Sequence, residues 1–339
     1  MKEVEYHADT TPFVLVLGSE DCAHVQAVCS AVSRRGVRVV VLDTTRFPGE
    51  IRISYDPEGD IEFVIAGDRF RMSACRSVYW RNYPGVDPRL TGSVEVDEIS
   101  TRDSRSLLES LLYKEGPRWF NGYHAWAMHK LKPVQMRAVA GLGVPVPETL
   151  MTNDVAGALH FHRRIENGIH KPVFGGSEAQ MIEPYLMDAE RLGRVFSFSP
   201  VTLQRCIEGT NLRTFVVGGK VFSVEILAKT LDFRLDPTHQ IRQRETPDQV
   251  AHWSRQICRE LAMRWTAIDW RVDSEGKHYF LEANPSPMFV GLSRTTDLDV
   301  AALLADELVV AESGRPVGRD IHTETPLQGG NDETCVRYR

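Results

Sequence analysis

Long apolar runs are missing from this 339-residue sequence. No stretch approaches the roughly 20 apolar residues that a helix needs to cross a lipid bilayer. The first residues, Met1 to Thr11, are polar and acidic, whereas a secretory signal has a basic start followed by an apolar segment. We therefore expect a cytoplasmic protein without a membrane partner.

Paired cysteines are missing as well. The six cysteines are scattered, no two of them form a CxxC pair, and none has histidines at the spacing of a zinc site. This pattern excludes the common zinc motifs and favours reduced, mostly buried thiols. The cysteines are Cys22, Cys29, Cys75, Cys206, Cys258 and Cys335.

Basic residues are not in excess. Lysine and arginine number 40 against 46 aspartate and glutamate residues, which gives a net charge of −6, and no long basic run offsets this balance. Because proteins that grip nucleic-acid phosphates present a basic patch, we expect no nucleic-acid partner. The content of 42% hydrophobic and 25% charged residues is typical of a globular protein, and the length predicts about two domains.

The N-terminal part predicts a β-α-β unit with parallel strands. The apolar run Phe13 to Leu17 leads through Gly18 into a helical pattern, and Val37 to Leu42 forms a second strand. Such a unit often binds a dinucleotide at its first turn. Here the turn has one glycine and then two carboxylates, Glu20 and Asp21, at the helix N-terminus, where they would repel a pyrophosphate. We therefore expect this unit to be a scaffold.

The following segments predict further short elements. Ile51 to Met72 is predicted as two strands around a turn, Ser77 to Trp80 as one strand, and Thr101 to Tyr113 as a polar helix. Gly116 and Pro117 then mark a boundary between two parts of the chain.

The most informative segment runs from Ala267 to Pro285 and predicts a β-hairpin around a four-residue polar turn. With such a turn, Asp269 lies opposite Phe280. Strand alternation then places Phe280, Glu282 and Asn284 on the same face as this aspartate. Two carboxylates and an amide oxygen suit Mg²⁺, a hard cation that prefers oxygen ligands. The alternative is a solvated polar face on an exposed hairpin, which the apolar residues around Glu282 disfavour.

Two lysines stand out as candidates for binding the phosphates of a nucleotide. Lys132 begins a helical pattern that ends at Gly143. Lys171 precedes a glycine-bearing loop, Gly175 to Ser177, that is able to fold over phosphates. Each lysine taken alone is weak evidence, because most lysines are surface charges.

The order and spacing of these elements resemble the ATP-grasp superfamily over residues 116–312. The resemblance implies an α/β fold in which two α/β subdomains clamp ATP, preceded by an α/β preATP-grasp domain. The segments that carry it are Lys132, Gly143, Pro147 to Thr149, Lys171 with its loop, Gln204 to Ile207, Asn211 to Arg213, Asp269, and Glu282 to Pro287.

Within the superfamily, the sequence is most similar to the microviridin-type ligases, or graspetide synthetases, which cyclise ribosomal peptides. The matching segments are Tyr79 to Arg81, Pro147 to Asp154, Leu231 to Arg234, and Phe280 to Pro285. Two positions differ from the family pattern. Asn211 stands where an aspartate is common, and the stretch from His129 to Lys132 is a variant of the usual asparagine-lysine pair.

The resemblance also implies roles for individual residues. Lys132 and Lys171 would bind phosphates, while Asp269, Glu282 and Asn284 would hold Mg²⁺. The segment Gln204, Arg205, Cys206 and Ile207 would form the hinge beside the adenine, and Asn211 would lie near the ribose. For the hinge segment, an ordinary buried strand is the alternative.

The resemblance predicts four parts of the chain. These are the preATP-grasp domain at 1–115, the central subdomain with its lid loop at 116–200, the C-terminal subdomain with the metal site at 201–312, and a polar tail at 313–339.

The implied reaction is an ADP-forming ligation through an acyl phosphate, with ATP and Mg²⁺ as cofactors. Arg213 and Arg234 are candidates for steadying the acyl phosphate and the oxyanion, because a guanidinium grips two oxygens at once. Asp232 would orient Arg234 or act as a general base. A surface ion pair between Asp232 and Arg234 is the alternative.

The expected substrate is a precursor peptide with a leader and a core. The segment Ile182 to Pro200 offers a groove for the leader or, equally, serves as lid packing. A second hypothesis is an amide ligase acting on an amino acid or another small carboxylate or amine. A third is a nucleotide-binding regulatory protein without turnover, which the metal ligands and both lysines disfavour. A homodimer is compatible with the family likeness.

Overall fold

The computed structural model describes residues 11–88, 91–113, 116–230 and 232–310, without the side chain of Arg234. The predicted polar tail at 313–339, Leu231 and Cys335 lie outside the described residues. Within these limits, no helix combines the length and apolar character needed to cross a membrane.

The described residues form both strands and helices along most of the chain. The strands are β1 Phe13–Leu17, β2 Arg38–Leu42, β3 Arg52–Tyr55, β4 Ile61–Ile65, β5 Asp68–Arg71, β6 Cys75–Trp80, β7 Arg118–Phe120, β8 Thr149–Thr152, β9 Gly168–Pro172, β10 Gln180–Met181, β11 Val201–Arg205, β12 Thr210–Val217, β13 Lys220–Leu227, β14 Gln240–Arg244, β15 Trp265–Val272 and β16 His278–Asn284. The α-helices are α1 Ala23–Ser33, α2 Val94–Leu112, α3 Tyr123–Lys130, α4 Lys132–Gly141, α5 Val155–Arg164, α6 Ala189–Phe196, α7 Asp248–Glu260, α8 Val290–Thr295 and α9 Val300–Val309.

The N-terminal sheet is parallel, with the strand order β2-β1-β6-β7. The predicted β-α-β unit is therefore confirmed. All five residues of β1 are buried, because α1 and α9 cover one face of the sheet and the β3–β5 sheet with α2 covers the other. One face packs through Val14, Val16 and Tyr79 into a core shared with Phe215 and Trp265 of the C-terminal sheet.

Two predictions for the N-terminal part need correction. The stretch predicted as two strands forms three, β3 to β5, because a second hairpin turn lies at Ala66 and Gly67. Both residues have positive φ, as a type I′ turn requires, but alanine gives no turn signal in the sequence. The polar helix begins at Val94 rather than Thr101, with Glu95 and Asp97 as favourable acidic residues in its first turn.

The central sheet is antiparallel, with the order β10-β9-β11-β8. Helices α5 and α6 pack on it through Phe161, Leu192, Phe196 and Leu203. The C-terminal sheet is also antiparallel, with the order β14-β13-β12-β15-β16. The ends of these two sheets enclose the candidate site.

Two strands each pair with a sheet on the other side of a predicted domain limit, and the limits themselves remain a prediction. Strand β7 pairs with β6 and extends the N-terminal sheet beyond residue 115. Strand β11 pairs with β8 and β9 of the central sheet, although the prediction starts the C-terminal subdomain at residue 201. A strand's neighbours are set by tertiary pairing, so local punctuation cannot assign it to a sheet.

Candidate active site between two sheets

The predicted hairpin exists as β15 and β16, but its register differs from the prediction. Asp269 lies opposite Glu282, not opposite Phe280, because a β-bulge at Leu281 shifts the pairing. Phe280 lies opposite Trp270 and is fully buried, with their ring centroids 6.0 Å apart. The predicted placement of Phe280 on the face of Asp269 is therefore wrong. The placement of Glu282 on that face is confirmed.

The three predicted metal ligands lie along this face. Glu282 is the direct cross-strand partner of Asp269, a position that brings Cβ atoms within about 5 Å. Asn284 follows two residues later on the same strand face, and its Oδ1 accepts a hydrogen bond from the Ser286 N–H at 2.9 Å. The chemistry of this donor set fits Mg²⁺. Among the described residues, no three His, Cys, Asp or Glu side chains form a metal cluster, so the set depends on the Asn284 amide.

Each carboxylate is paired with a cation. Arg213 on β12 donates to both Asp269 oxygens at 2.6 and 2.8 Å, and Lys132 donates to Glu282 Oε2 at 2.7 Å. The Lys132 Nζ also lies 3.2 Å from His129 Nδ1. We call Asp269, Glu282, Arg213 and Lys132 the carboxylate wall.

Helix α4 delivers Lys132 to this wall. The prediction of a helix from Lys132 is confirmed. Gln135 lies three residues later on the same helix face, and its amide donates to Ala283 O at 3.1 Å and accepts from Ala283 N at 3.0 Å. Because β16 is an edge strand, these bonds cover its outer backbone groups and fix the helix beside Glu282.

The opposite wall comes from the central sheet. Lys171 on β9 donates to Gln204 Oε1 at 3.1 Å, and Gln204 Nε2 donates to Thr149 Oγ1 at 2.8 Å. The Thr149 hydroxyl donates to Pro147 O at 2.8 Å, which completes the chain. We call Lys171, Gln204 and Thr149 the lysine wall.

Both walls contribute to the lining of one cavity of about 250 Å³, in which the lysine wall is represented by Lys171 and Gln204. Its lining includes most of the predicted site residues, and also the Gly175 to Ser177 loop. The predicted residues that line it are Lys132, Lys171, Gln204, Arg205, Cys206, Ile207, Asn211, Arg213, Asp232, Asp269 and Glu282. Among the described residues, Asn284 lies outside this lining, and the side chain of Arg234 is not described.

Comparison with solved structures identifies the fold. The ATP-grasp ligase PsnB, solved with a minimal precursor, superposes with a TM-score of 0.77 at 29% identity over 88% of this chain and 98% of PsnB. The macrocyclase MdnC of Microcystis aeruginosa, solved with precursor peptide MdnA, gives a TM-score of 0.77 at 19% identity, over 88% of this chain and 99% of MdnC. The chain belongs to the ATP-grasp superfamily.

The sequence comparisons are less extensive. The tetrahydromethanopterin:alpha-L-glutamate ligase of Methanococcus maripaludis is 25% identical to this ATP-grasp protein over 177 residues, or 48% of the chain. The match spans 60% of the length of that relative. No protein family model matches the sequence.

The predicted hinge segment of this ATP-grasp protein begins within β11, which ends at Arg205, and continues to Ile207. The Arg205 N–H donates to Glu148 O and the Cys206 N–H donates to Asn167 O, each at 2.8 Å. Arg271 on β15 donates to Ile207 O at 2.7 Å and to Asn211 Oδ1 at 2.9 Å. The predicted hinge is thus tied to the C-terminal sheet by one guanidinium.

The electrostatics of the two walls are coupled. Partial burial raises the pKa of Glu282, but the Lys132 charge and hydrogen bond, with smaller effects of His129 and Lys171, outweigh it and leave that pKa below its usual value. Burial lowers the pKa of Lys171; Glu282 opposes this effect and Lys132 adds to it. Burial and the Lys132 charge lower the pKa of His129. The site therefore favours the ionised form of Glu282 and disfavours the charged form of Lys171, and a bound anion would oppose the second effect.

The sequence analysis missed four side chains at this site. Arg271 ties the hinge, His129 contacts Lys132, Thr149 binds Gln204, and the Phe233 ring lies 5.4 Å from the Arg213 guanidinium carbon. Arg271 follows Asp269 at the two-residue spacing of a strand face, and this spacing was the available signal. His129 and Lys132 are three residues apart but lie on different helices, α3 and α4, and the other two contacts join segments far apart in the chain, so none of the three leaves a local pattern.

Proposed function

We propose that this ATP-grasp protein is an ADP-forming ligase that joins a side-chain carboxylate of a precursor peptide to a side-chain hydroxyl or amine. The observation that carries the proposal is the cavity itself, which is lined by both lysines, Lys132 and Lys171, and by both carboxylates, Asp269 and Glu282. Lysines suit the phosphates of a nucleotide, and the paired carboxylates suit the metal ion that accompanies them.

The nucleotide and its metal have residues to hold them. ATP and Mg²⁺ would supply the phosphoryl group that turns an unreactive carboxylate into an acyl phosphate. Lys132 and Lys171 would bind phosphate oxygens, and Asp269, Glu282 and Asn284 would hold the metal. Lys132 and Arg213 would then release the carboxylates that they now contact.

The hinge would bind the base. Because the Cys206 N–H already donates to Asn167, we assign the adenine edge to the Cys206 carbonyl and the Ile207 N–H. Gln204 and Arg205 would border the base, and Asn211 would lie near the ribose.

The acceptor side would use three charged residues. Arg213 would steady the acyl phosphate once Asp269 binds metal, and Arg234 would steady the oxyanion. Asp232, which lines the cavity, would orient Arg234 or accept a proton from the acceptor. The loop with Gly175 and Gly176, at φ +97° and +88°, would close over the phosphates and exclude water.

The hypothesis of a peptide substrate is supported by the relatives and by one surface. PsnB, at 28% identity, was solved with a minimal precursor, Mg and ADP. In the segment predicted to bind a leader, Leu192 and Phe196 are buried against the central sheet, while Val195 is 45% and Phe198 90% exposed. We propose that these exposed side chains contact the leader.

The test uses the purified protein with ATP, Mg²⁺ and short peptides encoded beside its gene. We expect ADP release that requires peptide, and a mass loss of one water for each crosslink. ADP release without any change in peptide mass would contradict the proposal.

A second candidate is an amide ligase acting on a small metabolite, which the glutamate-ligase relative supports. Glutamate and other small carboxylates in place of the peptide separate the two candidates, because ADP release would then follow the metabolite.

We also propose that the protein forms a homodimer, which light scattering would test. The predicted domain limits likewise remain a proposal, which limited proteolysis would test.

A further inference from the structure

The segment after β16 is held by side chains from outside its own strand. Three consecutive backbone carbonyls, of Asn284, Pro285 and Ser286, each accept a hydrogen bond from a side-chain donor on a different element. The donors are Thr266 Oγ1 at 2.7 Å, Asn121 Nδ2 at 2.7 Å and Arg81 Nη1 at 2.6 Å, respectively. Because Pro285 and Pro287 lack N–H groups, this segment cannot continue the backbone hydrogen bonds of the sheet, and hydrogen bonds from side chains take their place.

Arg81 and Ser286 bind each other in both directions. Arg81 Nη1 also donates to Ser286 Oγ at 3.0 Å, and that hydroxyl donates back to Arg81 O at 2.7 Å. The backbone N–H of the same buried serine donates to Asn284 Oδ1 at 2.9 Å. One continuous path therefore leads from Arg81 to the amide oxygen of Asn284.

The position of Arg81 in the fold explains why it contacts Ser286. It follows β6, at the carboxyl edge of the N-terminal sheet, where β1 has β2 on one side and β6 on the other. Open α/β sheets bind ligands in the crevice at such a switch point. Here the segment after β16 enters the crevice, with Phe289 packed on His24 at a ring-centroid distance of 4.8 Å.

We propose that Arg81 is a positioning residue for the metal site. By fixing Ser286, it orients the Asn284 amide so that Oδ1 keeps one lone pair on the serine N–H and turns the other toward the metal. Groups that hold a metal ligand in place affect metal affinity by about tenfold to a hundredfold. This inference rests on the proposed function, in which Asn284 is a ligand.

The test measures ADP binding to the full chain by calorimetry, with and without Mg²⁺. Arg81→Met removes the guanidinium donors and keeps the apolar stem. We expect it to raise the Mg²⁺ concentration for half-maximal ADP binding about tenfold, with metal-free ADP affinity unchanged. Ser286→Ala keeps the N–H to Asn284 and should give a smaller shift. If Arg81→Met does not fold, Arg81→Lys, which keeps a single ammonium donor, is measured instead and should also raise the requirement.

Arg35→Met is the matched control. Arg35 donates to Ala302 O at 2.9 Å and to Asp306 Oδ1 at 2.6 Å, so it joins α1 to α9 without touching the segment after β16. Its Mg²⁺ requirement should equal that of the wild type. An unchanged requirement in the Arg81 variant, or an equal shift in both variants, would overturn the inference. A wild type that binds ADP equally with and without Mg²⁺ would overturn the proposed metal site itself, and this inference with it.

Discussion

The two walls of the cavity differ in their charged residues and in how those charges are balanced. On the lysine wall, Lys171 donates to a neutral amide, Gln204. On the carboxylate wall, Asp269 and Glu282 each contact a cation, Arg213 and Lys132. A partly buried charge needs compensation, so the first wall favours an incoming anion and the second favours an exchange of its own cations for a metal ion.

This difference suggests a division of labour. The lysine wall adds positive charge without a carboxylate of its own, which suits phosphate oxygens. On the carboxylate wall, the charge and hydrogen bond of Lys132 hold the pKa of Glu282 below its usual value before any metal arrives. Variants on each wall should therefore fail in different ways, and the following predictions test that contrast from the largest expected effect to the smallest.

Glu282→Ala should have the largest effect. It removes a proposed metal ligand and leaves Lys132 without its carboxylate, so we expect ATP turnover to fall by about a thousandfold in a folded protein. ADP release and circular dichroism provide the measurements. The control is Glu225→Ala, which removes a carboxylate paired with Arg244 at 2.9 Å on the same sheet. Normal turnover in the Glu282 variant would exclude the carboxylate wall as the metal site.

Lys171→Ala should lower ATP turnover by about a hundredfold, because the lysine wall loses its cation for phosphate. Direct ADP titration should show weaker binding both with and without Mg²⁺, unlike the Glu282 variant, in which the metal-free affinity is kept. Lys220→Ala, an exposed lysine at the start of β13, is the control. If the Lys171 and Glu282 variants lose ADP affinity with the same dependence on Mg²⁺, the proposed contrast between the walls is wrong.

Arg234→Ala should lower ligation by about tenfold while ADP binding stays at the wild-type level, because its proposed role follows phosphoryl transfer. Crosslinked peptide is quantified by mass spectrometry, and ADP affinity by calorimetry. Weakened ADP binding would show that Arg234 belongs to the nucleotide site instead.

The pH dependence of ADP binding should reflect Lys171. Burial lowers its pKa, so the protonated form that binds phosphate is lost at a lower pH than for an exposed lysine. ADP affinity should therefore decline as the pH rises through that lowered value. Lys171→Arg stays charged and should remove this decline. An alkaline decline that persists in the arginine variant would assign it to another group.

Cys206→Ala should have the smallest effect, less than about twofold on ATP affinity, because the hinge is proposed to use its backbone. Gln204→Ala, which breaks the contact to Lys171, should weaken binding several-fold more. A large loss in the cysteine variant would give its side chain a role that the backbone assignment does not include.

The local elements were largely predictable from the sequence. The β-α-β unit, the helix at Lys132 and the β15–β16 hairpin follow from apolar periodicity and turn residues, which act over a few positions. The ends were less predictable, as the early start of α2 shows. The predicted hairpin register was wrong because a bulge adds one residue to β16 without changing the apolar pattern.

The contacts of the site were less predictable. Arg213 is predicted to steady the acyl phosphate or the oxyanion because a guanidinium grips two oxygens, but its contact with Asp269 on the adjacent strand was not predicted. Arg271 was not singled out, although it ties Ile207 and Asn211 together. Both contacts depend on which strands become neighbours, and the spacing within one strand does not specify its neighbour.

The sequence by itself determined the kinds of elements, because local backbone preferences and side-chain periodicity act over a few residues. It also fixed the order in which the charged residues occur along the chain. Only the tertiary structure decided that Glu282 meets Asp269, that Lys132 meets Glu282 and that Arg81 reaches Ser286. These contacts join residues 13, 150 and 205 positions apart. They arise from the packing of sheets and helices against each other, which no short segment encodes alone.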